Sequence, residues 1–509
     1  MVGIRHNNTC QVHYMSLRWR EVAVHLTGVC FIIFIVACCG KKAGIDPLHP
    51  VPIDSTFDVN SITDTYAAIA PFTYYTNWGP YNVHDPCIVK SGEYYYCFST
   101  DAAYGITVKP GIQIRRSKDL VQWQFVGWAF NALPAKGAAY ITQAGGTPFQ
   151  SLWAPYVLKV NKEYRLYYSL SSAVLRLSVI GLATATSPEG PWTEQGLVVT
   201  SRDNFAVTQT NAIDPTVVVT PQGEHWLYYG SAFDGIYVLK LDASTGLPAT
   251  TGSTGKRIAQ RGFTNGRING NIEGPEVIYN AAQNKYYLFI AYDWLETKYN
   301  VRVARSATPE GPFLDYTGKD INNEADDGPM ILAPYQFQGH GGWQGVSHCA
   351  VFEKEGQYFM AHQGRPSIDK YFMDLHVRKI FWTPDGWPVV SPERYANTAQ
   401  TAIVSTDLTG DWEQIVLGYK VVPGYSAEQV NADLQVATTI TLNANGTING
   451  NAANTWTFSA PWLELKWNNG ASVDKVYVSR ERDWENRKSS TLVFTGLNNV
   501  GAAVWGKKR

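Results

Sequence analysis

Between residues 84 and 364 the chain repeats one pattern: a short apolar run, a turn of polar residues or glycine, and a second run rich in Tyr and Trp. The five copies are HDPCIVKSGEYYYCFS (84–99), WAPYVLKVNKEYRLYYS (153–169), IDPTVVVTPQGEHWLYYGS (213–231), EGPEVIYNAAQNKYYLFIAY (273–292) and SHCAVFEKEGQYFMAHQG (347–364). Aligned on Pro86, Pro155, Pro215, Pro275 and Cys349, they recur at intervals of 69, 60, 60 and 74 residues. Each copy predicts a β-hairpin. A second echo follows most of them: RSKDLVQWQFVG (116–127), ATSPEGPWTEQG (185–196), RSATPEGPFLDYTG (305–318) and WTPDGWPVV (382–390) supply outer strands with Pro-Gly turns.

Four strands per repeat and five repeats predict a five-bladed β-propeller over 66–397, a closed array that leaves only short edges. No long run at 3.6-residue spacing interrupts 70–395, which argues against a helical solenoid. Beyond about residue 400 the pattern stops. Segments such as TITLNANGTING, TWTFSAPWLELKW and DKVYVSRERDW predict a separate C-terminal β-sandwich or barrel over 398–509. The expected class is therefore all-β.

The N-terminus has a different character. Arg18 and Arg20 precede the apolar run VCFIIFIVA (29–37), which is too short to remain as a membrane-spanning helix. Ile35-Val36-Ala37-Cys38 is similar to a bacterial lipobox. That predicts a signal peptide over 1–38, a lipid on Cys38, a tether over 39–65, and an exported lipoprotein anchored to the outer membrane, facing either the periplasm or the outside. A plain secretory signal is the alternative. Of the seven cysteines, Cys87, Cys97 and Cys349 lie beyond this segment. Cys87 and Cys97 flank a hairpin turn and either pair across it or stay free.

Composition adds two points. With 42 basic and 43 acidic residues the formal charge is -1, so no global field favours nucleic acid. The aromatic fraction is 13%, with 17 Trp and 30 Tyr. Most of these rings suit a sheet core, and the remainder suit stacking on sugars.

Candidate chemistry lies at the repeat starts, which a propeller brings to its central channel. Just before the alignment point stand Asp85, Ala154, Asp214, Gly274 and His348, with Glu273 one residue further back. An Asp before Pro is ordinary turn chemistry in any single copy. Acids recurring at one inward position are another matter, because buried carboxylates are costly unless used. Two or three carboxylates around a sugar-sized cleft suit glycosidic hydrolysis, one protonating the leaving oxygen and another activating water or attacking the anomeric carbon. In the fourth repeat both Glu273 and Glu276 are candidates. Alternation places Glu276 on the carboxylate face, whereas a bulge at Gly274 would redirect Glu273 inward.

HDPCIV, WAPYV, AIDPTVV, IEGPEVIY and GVSHCAVF, in that order, resemble family 43 of the glycoside hydrolases, five-bladed propellers acting on arabinan and xylan. LHVRKIFWTPDGWPVVSPERY (375–395) and the C-terminal β domain make the chain most similar to the endo-α-1,5-L-arabinanases within it. The resemblance implies an inverting hydrolysis with Asp85 as general base and Glu273 as general acid. Asp214 would raise the acid's pKa and orient it. It also implies that His348 helps hold a calcium ion (or another cation), largely through water, in the channel. Tyr156 and Cys349 depart from the usual family residues and imply altered sugar and ion contacts.

Trp153, Tyr156, Asn211, Phe233 and Arg365 are the candidate substrate contacts, each with a structural alternative. Asp234 is expected in a turn. The partner is arabinan or an arabino-oligosaccharide, and the protein is expected to be a monomer that binds no nucleic acid. The competing functions are an exo-acting α-L-arabinofuranosidase, a β-xylosidase, and a non-catalytic glycan-binding propeller that would not need the acids.

Overall fold

Each repeat folds as an up-and-down antiparallel sheet in chain order. The first holds β1 (Cys87–Ser91), β2 (Tyr94–Ser99), β3 (Gln113–Ser117) and β4 (Gln124–Trp128). The second holds β5 (Trp153–Val160), β6 (Glu163–Leu170), β7 (Ser178–Ala185) and β8 (Thr193–Ser201). The third holds β9 (Thr216–Val219), β10 (His225–Tyr229), β11 (Ile236–Leu241) and β12 (Lys256–Ala259). A small hairpin, β13 (Phe263–Thr264) and β14 (Arg267–Ile268), leads to the fourth sheet. That sheet holds β15 (Ile272–Asn280), β16 (Lys285–Tyr292), β17 (Asn300–Ser306) and β18 (Met330–Leu332).

The fifth repeat departs from the expectation of a separate four-stranded blade. Its strands β21 (Cys349–Lys354), β22 (Gln357–Pro366), β23 (Asp374–Trp382) and β24 (Pro388–Val390) belong to a seven-stranded sheet. β19 (Tyr335–Gln336) and β20 (Trp343–Gln344) extend it past β22, and Gln435–Val436 pairs with β19 in parallel. The observed arrangement is all-β and propeller-like, with four four-stranded sheets and this larger fifth one. The computed structural model describes residues 57–509, apart from 103–107, 203, 205–209, 262, 265–266, 269–270, 324–327 and 419–429. The expected leader, the lipidated Cys38 and the tether before residue 57 lie outside the described residues.

The aromatic second strands are explained by packing on both faces. In β6, Tyr164, Leu166, Tyr168 and Leu170 pack toward the first sheet, while Tyr167 packs toward the third. In β16, Tyr286, Leu288, Ile290 and Tyr292 form one core, and Tyr287 and Phe289 form the next. A strand wedged between two sheets reads as nearly continuous apolar sequence. Most of the aromatic excess therefore serves wedge-shaped cores rather than sugar.

Between the first and second sheets lies a helix, α1 (Ala135–Gln143). Glu194 anchors it by accepting from the Lys136 and Gly137 backbone N–H groups at its N-terminus. Of the two alternatives left open for Cys87 and Cys97, the structure shows the free thiols. β1–β2 register sets Cys87 opposite Phe98 and Ile88 opposite Cys97, and all three thiols are buried and free.

The C-terminal segment forms a closed eight-stranded barrel, not a sandwich. Trp412, Leu442, Trp456, Leu465, Phe494 and Val504 fill its interior. Ile415, Leu417 and Trp505 of the barrel pack in one core with Tyr335, Trp387 and Val389 of the propeller-like part.

Beside that core, Lys507 Nζ reaches Glu393 Oε1 (3.1 Å), Asp483 Oδ1 (3.1 Å) and Glu485 Oε2 (2.6 Å), all buried. Among the described residues these acids form the one group dense enough to hold a metal ion, and the ammonium of Lys507 already serves as its cation. Removing one partner of a buried ion pair leaves an uncompensated charge. Lys507→Met is expected to lower the unfolding free energy by about 3–5 kcal/mol in a urea titration. A change below about 1 kcal/mol would show that the lysine does not hold the two parts together.

Candidate active site

The inward turn of each repeat start is built by an unusual backbone. Asp85 (φ 51°), Ala154 (φ 36°), Asp214 (φ 60°) and Gly274 (φ 56°) each stand directly before the repeat's proline, in the left-handed region. A proline disfavours compact conformations at the residue before it, and non-glycine residues rarely adopt positive φ. Three of the four carry side chains, so the surrounding packing holds them there. In β5 the register shifts between Trp153 and Tyr156, and in β15 between Glu273 and Glu276. The bulge anticipated at Gly274 is therefore present, and it separates the two glutamates.

Asp85, Asp214, Glu273 and His348 come together at the axis. Asp85 Oδ2 accepts from Thr100 Oγ1 and lies 2.6 Å from both that hydroxyl and His84 Nδ1. Its Oδ1 is 3.4 Å from His348 Nδ1, and its backbone N–H donates to Gln363 Oε1. Burial pushes the Asp85 carboxyl up, but the imidazoles of His84 and His348 and the Thr100 hydroxyl outweigh it, leaving it below the ordinary carboxylate range.

Asp214 and Glu273 shift the other way. Asp214 Oδ2 accepts from the Gly274 N–H (3.1 Å), and its own N–H donates to Ser169 Oγ. Burial, and then the charges of Glu273 and Asp85, raise its carboxyl well above the usual range. Glu273 is half-buried; Ser231 Oγ donates to its Oε2 and the Tyr299 hydroxyl to its Oε1, both at 2.8 Å. Burial raises the Glu273 carboxyl, the two hydroxyls partly offset that, and Asp85 adds to the rise. Asp214 and Glu273 titrate as a pair, so whichever ionises first holds the other's proton more firmly. His348 is buried, which lowers its pKa and favours the neutral imidazole.

The arrangement is one ionised carboxylate facing two carboxyls biased toward the protonated form. Such a set can accept a proton at one point and deliver one at another without the groups exchanging roles.

The other expected contacts divide. Trp153 is half-buried beside the axis, stacked on Phe149 with ring centroids 5.4 Å apart. Asn211 is buried two residues from Ile213 at the third repeat start. Phe233 (φ 42°) lies under the Arg176 guanidinium, 5.5 Å from ring centre. Arg365 is buried, donates to the Lys370 carbonyl at 2.6 Å, and lies near enough to Asp85 and Tyr299 to feel their charges. Tyr156 does not join them. Its hydroxyl donates to the Val217 carbonyl (2.8 Å) in the core between the second and third sheets.

Glu276 is likewise turned away from the three acids. It accepts from Thr216 Oγ1 (2.9 Å) and the Val351 N–H (3.0 Å), joining the third, fourth and fifth repeats, and burial pushes its carboxyl up to about 7. Asp234 behaves as a turn residue, paired with Arg257 and accepting from Tyr237.

His84, Thr100, Ser231 and Tyr299 were not singled out from sequence. For the first three a signal existed. His84 precedes Asp85 in the motif, and the second strands of the first three repeats end in CFST, YYS and YYGS. Those terminal hydroxyls meet the carboxylates or their backbone. Tyr299 falls at no repeated position.

The model for "Glycosyl hydrolases family 43" matches residues 79–388, more than half of the chain. The chain belongs to this family. A second model, "C-terminal lipocalin-like domain", matches 392–506, over the closed barrel. The extracellular endo-α-(1→5)-L-arabinanase of Thermotoga petrophila is 28% identical over 463 residues, covering 83% of this chain and 93% of the relative. The crystal structure of the Thermotoga petrophila endo-1,5-α-L-arabinanase superposes with a TM-score of 0.72 at 27% identity, covering 85% of this chain and 99% of that one. The extracellular exo-α-(1→5)-L-arabinofuranosidase ArbA of Cellvibrio japonicus is 28% identical over 327 residues, 61% of this chain and 86% of the relative.

In this family 43 chain Gly274 is a tight point of the site. A Cβ there would lie 2.7 Å from His348 Nδ1, on a backbone at positive φ. Gly274→Ala is expected to cost about 1–3 kcal/mol in thermal unfolding and to lower turnover by displacing His348 from Asp85. Wild-type turnover in a folded variant would contradict this placement.

Proposed function

We propose that this chain hydrolyses α-1,5-linked L-arabinan, acting within the chain and inverting the anomeric carbon. The observation that carries the reading is the opposed bias of the carboxyls on one axis, Asp85 held ionised and Glu273 held toward its protonated form. Asp85 accepts a proton from the water that attacks the anomeric carbon. Glu273 gives its proton to the departing glycosidic oxygen, so one bond to oxygen forms as the other breaks. Asp214, paired with Glu273, keeps that proton in place until the leaving oxygen arrives. Trp153, Asn211, Phe233 and Arg365 contact the sugar.

The fifth blade of the propeller is the β21–β24 part of the seven-stranded sheet, with domain limits at 66–397 and 398–509. The endo reading is supported by the Thermotoga petrophila relative, whose match extends over most of this chain, whereas the exo-acting relative matches a shorter part.

The residues at His348 fit a cation held mainly by its own water. The imidazole is kept neutral by burial, the form that can meet an ion or the water shell of an ion. A bound calcium would be held through His348 and would add positive charge beneath the carboxylates. The protein is exported as a lipoprotein anchored through Cys38.

Incubation with linear arabinan should release a ladder of oligomers; monomer alone would mean exo action, and product from xylan only would move the substrate claim. Asp85→Asn should lower turnover by at least about 1,000-fold with substrate binding retained, and unchanged turnover would sink the assignment. Turnover should fall as pH drops through the Asp85 pKa, below the usual carboxylate range, because the base must be ionised. It should fall again as pH rises through the Glu273 pKa, above that range, because the acid must hold its proton. A profile limited on both sides by ordinary carboxylate values would contradict the roles.

A further inference from the structure

Glu273 is gripped by two hydroxyls of different chemistry, and nothing in the proposed mechanism yet uses them. The Tyr299 hydroxyl meets Oε1 and the Ser231 hydroxyl meets Oε2, both at 2.8 Å. Among the described residues neither hydroxyl has another side-chain hydrogen bond. A carboxylate accepts from both. Once the carboxyl is protonated, one of its oxygens becomes a donor, and where that proton is given to the hydroxyl on its side, the hydroxyl turns from donor to acceptor.

The two hydroxyls are not equally able to turn. Ser231 carries an alkyl hydroxyl whose proton rotates freely to suit its partner. Tyr299 carries a phenol, whose proton prefers the ring plane and whose oxygen is the more acidic and the poorer acceptor. Its ring is buried to 1% exposure and cannot reorient. The turn that carries it is also fixed: the Tyr299 and Thr297 N–H groups both donate to the Trp294 carbonyl, and Gly345 N–H donates to the Thr297 carbonyl. At the start of that turn Asp293 is ion-paired with Arg261, both fully buried, and accepts from Asn300 Nδ2. Ser231 stands at the end of the third repeat, where the neighbouring Ala232 N–H donates to the Ile272 carbonyl beside Glu273.

We infer that Tyr299 is a positioning residue that fixes which oxygen of Glu273 carries the acidic proton: Tyr299 remains a donor to Oε1 throughout, and the proton resides on Oε2, where Ser231 reverses to accept it. The inference rests on Glu273 being the general acid. It adds that the proton delivered to the leaving oxygen comes from Oε2, and that the Tyr299 donor bond steadies the carboxylate left after proton transfer. Proton count is conserved: Glu273 gains from solvent the proton it gave to the leaving sugar, and Asp85 releases to solvent the proton it took from water.

Removing the Tyr299 donor takes away a bond present in both forms but stronger to the ionised carboxylate, so the proton is held more tightly. Removing the Ser231 hydroxyl takes away a bond that reverses direction with the proton and so serves both forms, and the balance between them changes less. The test is the pH dependence of kcat/KM on linear arabinan for wild type, Tyr299→Phe and Ser231→Ala, with thermal melts to confirm folding. The alkaline limb of Tyr299→Phe should move up by about one pH unit and its turnover should drop, while Ser231→Ala should move the limb by less than half that. An unmoved limb in Tyr299→Phe, or a larger movement in Ser231→Ala, would overturn the inference.

Glu273→Gln on an aryl arabinofuranoside, whose leaving group needs no protonation, separates this from the underlying role. If that variant keeps activity on the aryl substrate while losing it on arabinan, Glu273 is the acid, and the limb shifts then decide the role of Tyr299. If it is equally impaired on both, the acid assignment fails and the inference fails with it.

Discussion

The site follows from one constraint: three carboxylates, two buried and one half-buried, must stand together without all being charged. Solvent cannot screen them there, so protein groups decide which one ionises. Two imidazoles and a hydroxyl gather on Asp85. Asp214 and Glu273 are left with neutral donors and with each other. Which carboxyl is held ionised and which are biased toward their protonated form is thus a consequence of which sheet supplies which neighbour.

The propeller-like frame makes that division possible. Each inner strand begins with a left-handed residue before proline, a conformation that isolated chain would avoid. The wedge cores on both sides of the second strands hold it in place. Those cores use most of the aromatic side chains, so the composition that first suggests sugar stacking is largely structural. The barrel adds a further brace through the core around Trp505 and the buried Lys507 cluster.

How much of this was readable before the structure depended on periodicity. Five hairpins in register gave the all-β class and the meeting of Asp85, Asp214, Glu273 and His348, because a repeat fixes relative position without any contact being known. The fifth sheet was read as too simple, since β19, β20 and Gln435–Val436 are short strands outside the repeat. Tyr156 was read as a sugar contact from the family resemblance, whereas its hydroxyl bonds the Val217 carbonyl between the second and third sheets. Alternation alone left Glu273 and Glu276 both open; the family resemblance chose Glu273, and the register shift at Gly274 separates the two in the structure. Tyr299 had no repeat partner and so left no trace in the pattern.

If water activated by Asp85 attacks the sugar directly while Glu273 releases the leaving oxygen, the anomeric carbon inverts. Proton NMR of the first product formed from an α-1,5-arabino-oligosaccharide, read before mutarotation mixes the anomers, should then show the new reducing end first in the β configuration. An initial α signal would mean retention, and would contradict the roles given to both residues.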